Sequence, residues 1–491
     1  MTNATRRLGS LEDVTGSVRL PRYDRSAIGV GIVHIGTGAF HRAHQAVMTE
    51  EAIEADGGDW RIRGISLRSR SGANALNPQD GLYTLTERSE AGSQTRVIGA
   101  LADVIAVDAA ATLEALCDPA IRVVTLTVTE KGYGIDRPAA GPDWKHPAVA
   151  ADRNDPERPT GVLGLLTEAL RRRRSSGVAP FTVLSCDNLP HNGALVRGGV
   201  IGFARERDRA LGDFIEAEVA FPSCMVDRIT PAPTEATFAY AEQAIGCRDL
   251  AAIETEPFIQ WVIEDNFCNG RPRWEAGGAL FVSDVSAYER MKLTMLNGTH
   301  SALAYAGFLS GRKYVRDVMA DDALAVLVAR HLDAAMSVMP DLEGIDLGEY
   351  AEALRARFRN PAIEHQTYQI AMDGTEKLPQ RIFAPAMAAL NRGLPIDSFG
   401  FATAAWIRYT LGETDSGEKY ALRDPREEEL GKALAGSPRE ATALLQAFHR
   451  LPGLFPAELE RSPEWRLAVE KPLTHMLNDG MAAALNAFVK R

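Results

Sequence analysis

The chain has 491 residues, 45% of them hydrophobic and 24% charged, a length and composition typical of a globular protein with two large domains. The net charge of −11 argues against nucleic acid or an anionic membrane as a partner, because both attract basic surfaces. The five cysteines are too scattered for a disulfide framework, and the sequence has no His-Glu-x-x-His motif that would indicate a metal site. No apolar run is long enough for a membrane span, so we expect a cytoplasmic protein.

The first predicted element is a buried strand over residues 28–35, followed directly by a Gly-x-Gly turn at 36–38. A helix is predicted from about 40 to 55. Strand, Gly-x-Gly and helix in this order are typical of a dinucleotide-binding site, in which the first glycine permits a tight turn and the second lets the pyrophosphate approach the backbone. His41 occupies the third glycine position of that pattern, so an ordinary strand-to-helix turn is the alternative.

The second predicted strand, at 60–67, ends where an NAD site usually has an acidic residue for the ribose. This chain has Arg68 and Arg70 there instead. Arginines leave room for a 2′-phosphate, so NADP is not excluded as the cofactor. The alternative is that both arginines are simply solvated.

Further strands and one helix alternate along the next hundred residues, which predicts a mostly parallel sheet. The strands are predicted at 81–86 and 94–99, as a hairpin, and at 121–128 and 181–186, and the helix at 161–174. Glu130 and Asn188 both follow strand ends, where ligands of such sheets bind, although capping of a loop would also explain each of them.

Helical periodicity dominates beyond about residue 285. We therefore predict an α/β architecture with a Rossmann-type domain at 1–284 and a mostly α-helical domain at 285–491. Before the boundary, a strand-like segment at 257–265 and a proline-ended segment at 223–233 complete the first domain, and the latter carries Asp227.

The second domain opens with a predicted helix over 291–307 that is apolar nearly all round and hence buried. It carries Lys292, Asn297 and His300, which at about 100° per residue point into one half of the helix. Burial lowers the pKa of a lysine and makes it a general acid or base near neutral pH. The alternative is a core helix whose polar groups are merely hydrogen-bonded.

Several motifs together resemble the polyol-specific long-chain dehydrogenase/reductase family, over most of the chain. The motifs are GTGAFHRAHQ at 36–45, TVTEKGY at 127–133, SCDN at 185–188, MVDR at 225–228 and K-x4-N-x2-H at 292–300. The segments at 254–272 and 369–381 resemble most the branch that reduces D-fructuronate to D-mannonate.

The resemblance implies a Rossmann-type domain, a helical second domain and metal-free hydride transfer with NAD. It assigns the general acid/base role to Lys292, amide contacts with the reacting oxygen to Asn188 and Asn297, and substrate binding to His300. Asp227 and Glu130 are also predicted to bind substrate. The predicted cofactor contacts are Ile35, Gly36, Thr37, Gly38, Ala39, Phe40, His41 and Arg68.

The expected substrate is a small sugar acid, D-fructuronate, whose carboxylate needs a cation. Lys377 and Arg381 are the candidates, since they follow a turn signal at Asp373 and flank Pro379, where a loop is predicted to meet a helix. Each could instead be a surface charge, and Asp373 could neutralise Lys377. Two alternatives remain: a dehydrogenase of neutral polyols such as D-mannitol, and a nucleotide-binding regulator without catalysis. An intact set of Lys292, Asn297 and His300 argues against the regulator.

Overall fold

The computed structural model describes residues 6–490, apart from the side chain of Glu130. The chain divides into two compact units, Met1–Ser286 and Ala287–Arg491, called here the N-terminal and the C-terminal unit. No helix among the described residues is long and apolar enough to cross a membrane.

The N-terminal unit contains thirteen strands among its described residues. They are β1 Val30–Ile35, β2 Arg61–Ser66, β3 Tyr83–Ser89, β4 Gly92–Ile98, β5 Leu101–Ala106, β6 Val123–Leu126, β7 Ile135–Asp136, β8 Gly141–Pro142, β9 Thr182–Ser185, β10 Cys224–Asp227, β11 Ile253–Thr255, β12 Gln260–Glu264 and β13 Leu280–Val282. The central sheet has the order β5-β2-β1-β6-β9 and is parallel throughout, which confirms the predicted Rossmann-type architecture. The predicted hairpin is the antiparallel pair β3–β4.

Nine α-helices cover this unit. They are α1 Ala39–Ala43, α2 Gln45–Asp56, α3 Ser71–Leu76, α4 Ala109–Cys117, α5 Pro147–Asn154, α6 Val162–Ser175, α7 Asn192–Arg207, α8 Arg209–Glu218 and α9 Glu235–Ile245. The prediction of a single helix over 40–55 is therefore wrong in one respect, since the structure has two helices there. The helical segment is broken at His44, whose backbone angles (φ −122°, ψ −85°) are not helical, so that α1 and α2 are separate.

The apolar residues of the central strands alternate between two cores, one on each face of the sheet. On β1, Ile32 belongs to one core, while Val33 and Ile35 belong to the other. A parallel strand buried on both faces needs an unbroken apolar sequence, which is why β1 could be predicted from its sequence.

The C-terminal unit is helical, and no strand occurs among its described residues. Its α-helices are α10 Ser286–Met291, α11 Gly298–Leu309, α12 Val315–Met319, α13 Asp322–Ser337, α14 Leu347–Arg359, α15 Thr367–Ala371, α16 Gly374–Leu378, α17 Ala384–Asn391, α18 Asp397–Tyr409, α19 Glu427–Leu434, α20 Ala441–His449, α21 Ala457–Arg461, α22 Pro463–Asn478 and α23 Gly480–Val489. The predicted mostly helical second domain is thereby confirmed. Large aromatic side chains such as Trp406 and Trp465 fill its core.

Two segments of this unit are π-helical. This conformation is rare in proteins overall, but where it occurs it is often at a functional site. The first π-turn is Lys292–Asn297, between α10 and α11, and the second is Pro379–Phe383, between α16 and α17. The prediction of one regular helix over 291–307 is therefore wrong. The Gly298 N–H donates to the Leu293 carbonyl, five residues back, so the angular positions derived from 100° per residue do not apply.

Candidate active site

The turn after β1 requires glycine at its first position. Gly36 has a φ of +106°, and a Cβ there would lie 2.1 Å from the carbonyl oxygen of Thr127, the residue directly after the neighbouring strand β6. Its N–H donates to the Ile65 carbonyl at 2.8 Å, which fixes the turn to the end of β2. The turn therefore folds back tightly only because Gly36 has no side chain.

Gly38 has the opposite environment. Its φ of −91° suits any residue, and the nearest atom to a Cβ there would be the Gly36 carbonyl oxygen at 3.7 Å. Gly38 is exposed, and α1 begins at the next residue. The missing side chain thus leaves an open space above the turn, which fits the close approach of a dinucleotide pyrophosphate.

His41 lies inside the N-terminal unit and has no exposed surface. Its ring stacks on that of His34 with centroids 3.4 Å apart and an interplanar angle of 11°. Burial lowers the pKa of His34 to about 3 and that of His41 well below its ordinary value, so both rings are neutral and can stack without repulsion. Because the side chains of His41 and Ile35 are buried, the cofactor contacts predicted for these two residues would have to be made by their main chains.

The loops after β6 and β9 are joined by Asp187, a residue that the sequence analysis missed. Its carboxylate accepts hydrogen bonds from the Val128 and Thr129 N–H groups at 2.9 and 3.2 Å, and from the Tyr133 hydroxyl at 2.7 Å. Burial raises the pKa of Asp187, while these hydrogen bonds oppose the rise. The loops that carry Glu130 and Asn188 are thus held together, although the side chain of Glu130 lies outside the described part of the structure.

The backbone is strained at the same edge of the sheet. Val107, directly after β5, has a φ of +54°, and Thr129, shortly after β6, has a φ of +67°. Both are β-branched residues, for which a positive φ is a genuine outlier, and such strain clusters at functional sites. The Val107 side chain is also 47% exposed.

Asn192 connects the loop after β9 to β10. Its side-chain amide donates to the Cys224 carbonyl at 2.8 Å and to the Asp187 carbonyl at 3.1 Å, and its oxygen accepts from the Cys224 N–H at 3.0 Å. Asp227 is the last residue of β10 and is 5% exposed. Asn192 therefore fixes the position of the Asn188 loop relative to the strand that carries Asp227.

In the C-terminal unit, Lys292 and Asn297 are the first and last residues of the first π-turn, and His300 follows in α11. Lys292 and Asn297 are half-buried, whereas His300 is buried against the rings of Phe358 and His365, whose centroids are 4.8 and 5.2 Å from its own. The predicted catalytic residues of this unit thus occupy consecutive turns of one largely buried helical segment.

The two π-turns cross at Gly298. A Cβ at this position would lie 2.8 Å from the Arg381 carbonyl oxygen, so the absence of a side chain permits the close approach. The Arg381 guanidinium donates to the Ser301 hydroxyl at 3.4 Å, and that hydroxyl donates to the Asn297 carbonyl at 3.1 Å. The second π-turn is therefore joined to the first by backbone packing and by a hydrogen-bonded chain.

Basic side chains converge around His300, in what we call the basic cluster: His300, Arg357, His365, Lys377 and Arg381. The pKa of His300 is well below its ordinary value, first because of burial and then because of the positive charges of its neighbours in the cluster. Burial and Arg381 also lower the pKa of Lys377, and burial and Lys377 lower that of His365.

Lys377 and Arg381 differ in their partners. The Lys377 ammonium donates to the Met372 carbonyl at 2.7 Å and lies 3.4 Å from the Asp373 carboxylate, which therefore neutralises it in part. Arg381 is half-buried, its burial lowers its pKa, and across the described residues it forms no ion pair with a carboxylate. Both residues lie in helical segments, Lys377 in α16 and Arg381 in the second π-turn.

Comparison with known proteins gives consistent results for both units. The family model for the mannitol dehydrogenase Rossmann domain matches residues 30–276, and that for the mannitol dehydrogenase C-terminal domain matches residues 284–475. An uncharacterized oxidoreductase of Escherichia coli, YeiQ, is 43% identical over 95% of this chain and 96% of its own length. The D-mannonate oxidoreductase of Escherichia coli is 40% identical over 92% of this chain and 94% of its own length.

A solved structure also resembles the whole chain. The ternary complex of Pseudomonas fluorescens mannitol 2-dehydrogenase with NAD and D-mannitol has a TM-score of 0.82 and 36% sequence identity, and the match covers 99% of this chain and 100% of that one.

Proposed function

The chain belongs to the mannitol dehydrogenase family, an NAD-dependent group of oxidoreductases that act on CH–OH groups, and on that premise we propose that it reduces D-fructuronate to D-mannonate. The cofactor, when bound, supplies or accepts a hydride at C4 of its nicotinamide. Gly36, Thr37 and Gly38 provide the turn that fits the pyrophosphate.

The proposed proton donor is Lys292. As hydride arrives, the ketone oxygen becomes an alkoxide, and the Lys292 ammonium donates a proton to it; in the oxidative direction the neutral amine removes that proton. The side-chain amide of Asn297 is proposed to stabilise the developing negative charge, a contribution of about 3 kcal/mol for one well-placed donor. The same role for Asn188, and substrate contacts for Asp227 and Glu130, rest on the sequence motifs alone.

The observation that carries the choice of a sugar acid is Arg381. A half-buried guanidinium without a carboxylate partner is costly, and a substrate carboxylate would satisfy it with two parallel hydrogen bonds. The surrounding basic cluster favours an anion further. Lys377, already paired with Asp373, is the weaker candidate.

A direct test compares D-fructuronate with D-fructose, which lacks the carboxylate, as substrates for NADH oxidation. Arg381→Met should raise KM for D-fructuronate by about 10–100-fold, the effect of a lost charged hydrogen bond. Lys377→Met should have a smaller effect, and Lys432→Met, which removes an exposed lysine of α19 paired with Glu428, should have none.

A neutral polyol is the second candidate substrate, favoured by the likeness to the mannitol 2-dehydrogenase complex. If the wild-type protein reduces D-fructose faster than D-fructuronate, the sugar-acid proposal is wrong and this second candidate replaces it. If Arg381→Met leaves KM for D-fructuronate unchanged, the role of Arg381 is wrong even if the reaction is correct.

A further inference from the structure

The segment Arg68–Ser69–Arg70–Ser71, called here the arginine loop, lies beside the glycine turn. The loop follows β2, whose last residues pair with the end of β1, and Gly36 donates its N–H to Ile65 just before the loop. On its other side, a Cβ on Gly72 would be 3.7 Å from the Thr37 carbonyl oxygen. The arginine loop is therefore at the edge of the sheet where the ribose of a dinucleotide is held in this fold.

Both arginines of the loop are exposed, and within residues 6–490 neither has a hydrogen bond or an ion pair from its guanidinium. By contrast, the guanidinium of Arg63, on the strand before the loop, is paired with Asp103 on the next strand at 2.7 Å. A pair of unpaired guanidiniums at one edge of a ligand site is a concentration of positive charge that an anion would neutralise.

No carboxylate replaces the acidic residue that an NAD site usually has here. The sequence contains no Asp or Glu from Trp60 to Gln79. The adjacent strand β5 is followed by Asp108, but its carboxylate accepts a hydrogen bond from the Ala111 N–H and caps α4. The loop thus offers the hydrogen-bond donors of its two guanidinium groups. A ribose 2′-hydroxyl bound there would lack the carboxylate that usually accepts its hydrogen bond.

Serine hydroxyls hold the loop in one conformation. Ser66 donates from its hydroxyl to the Ser69 carbonyl at 2.6 Å, and the hydroxyls of Ser69 and Ser71 are 2.8 Å apart. The Ser71 N–H also donates to the Ser69 hydroxyl at 3.1 Å. Because the backbone is fixed, less conformational entropy is lost when an anion binds.

We infer that Arg68 and Arg70 form a subsite for the 2′-phosphate of an adenine dinucleotide, so that this protein binds NADP(H) as well as NAD(H). A guanidinium recognises a phosphate with charge-assisted, often bidentate hydrogen bonds. The inference rests on the cofactor site of the proposed function, but it does not depend on the sugar that is reduced.

Binding without turnover tests this inference. Titrations of the protein with adenosine 2′,5′-bisphosphate and with 5′-AMP, followed by calorimetry, compare two ligands that differ only in the 2′-phosphate. We expect the bisphosphate to bind at least as tightly as the ligand without the 2′-phosphate. NADPH should likewise bind at least as tightly as NADH in titrations that measure the quenching of tryptophan fluorescence. The advantage of the 2′-phosphate should decrease with added salt, because the arginines are exposed.

Variants separate recognition from general charge. The double variant Arg68→Gln/Arg70→Gln should weaken binding of the bisphosphate by about tenfold or more, as expected for lost charged hydrogen bonds, and should change binding of 5′-AMP by less than about twofold. Arg209→Gln is the matched control, since that side chain is 91% exposed on α8 of the same unit. Equal losses for both ligands, or no loss in the double variant, would overturn the inference.

The outcomes also distinguish this inference from the proposed function. A protein that binds 5′-AMP but binds the bisphosphate more than about tenfold more weakly, a difference of about 1.4 kcal/mol, lacks the 2′-phosphate subsite. A protein that binds NADPH but reduces no sugar acid has the subsite and a different substrate. A protein that binds neither nucleotide has no cofactor site at the glycine turn, which overturns both.

Discussion

Two glycines two positions apart have different physical reasons to be glycine. Gly36→Ala places a methyl group against the Thr127 carbonyl in a left-handed backbone, so the free energy of unfolding should fall by at least about 1–3 kcal/mol. The methyl group of Gly38→Ala would make only an ordinary contact, 3.7 Å from the Gly36 carbonyl oxygen, and φ is ordinary there, so stability should change by less than about 0.5 kcal/mol. That methyl group instead occupies the open space above the turn, and Kd for NADH should rise by about tenfold or more.

Urea unfolding and NADH titration of the two variants check this contrast. If Gly38→Ala binds NADH as the wild type does, the pyrophosphate does not pass over Gly38, and the cofactor prediction for this turn is wrong.

At the same scale, Lys292 is the residue on which the proposed chemistry depends. Lys292→Ala should lower kcat by about 10²–10⁴-fold, because the proton transfer loses its acid/base. Binding of NADH should be unchanged, since the glycine turn is unaffected. Turnover within about tenfold of the wild type would exclude Lys292 as the acid/base.

At the scale of elements, the crossing of the two π-turns sets the positions of Arg381 and Asn297, the residues proposed to contact the substrate. Gly298→Ala forces a methyl group to 2.8 Å from the Arg381 carbonyl, so the turns must separate. We expect a loss of about 1–3 kcal/mol in stability from overpacking, and a fall in kcat/KM for D-fructuronate of up to about 10²-fold from misplacement of Arg381 and Asn297.

A matched glycine in the same unit provides the control. Gly431, in α19, has no neighbour within 4 Å of its Cβ position, so Gly431→Ala should stabilise the helix by about 0.5–1 kcal/mol and leave kcat/KM unchanged. Steady-state kinetics and thermal unfolding distinguish the two. If both variants retain wild-type kcat/KM, the crossing has no role in positioning the catalytic groups.

At the scale of the whole molecule, buried histidines link stability to pH. Burial lowers the pKa of His34 to about 3 and that of His331 to about 4, and lowers those of His41 and His300 well below 6.5. The unfolded chain therefore binds more protons below pH 6.5, and the free energy of unfolding should fall as pH decreases from 6.5 toward 4, by about 1.4 kcal/mol per pH unit for each such histidine.

Glu50 acts in the opposite direction. Burial raises the pKa of its carboxyl to about 7, so its contribution to stability is present below pH 4.5 and is lost as pH rises through 7. Urea midpoints measured between pH 4.5 and 6.5 should rise with pH, because the histidines outnumber Glu50. His331→Phe should flatten that dependence and Glu50→Gln should steepen it; no change in either variant would show that these groups do not titrate on unfolding.

Local signals in the sequence determined much of the fold of this protein. The buried parallel strands are continuous apolar runs, the glycine turn has its own spacing, and the helical periodicity of the second half extends to the C-terminus, so the α/β and helical halves could be predicted from the sequence. The motif at 292–300 identified the catalytic candidates without any knowledge of packing.

Only the tertiary structure decided how those residues are held. A helix that is apolar all round gives no signal for an extra residue in one turn, so the π-turn at Lys292–Asn297 was not predictable from periodicity. The partners of Asp187 and Asn192 lie between 5 and 59 residues away, and the difference between paired Lys377 and unpaired Arg381 depends on groups brought together by folding. Hydrogen bonds and ion pairs of this kind depend on distances in space, and the sequence fixes those distances only through the complete fold.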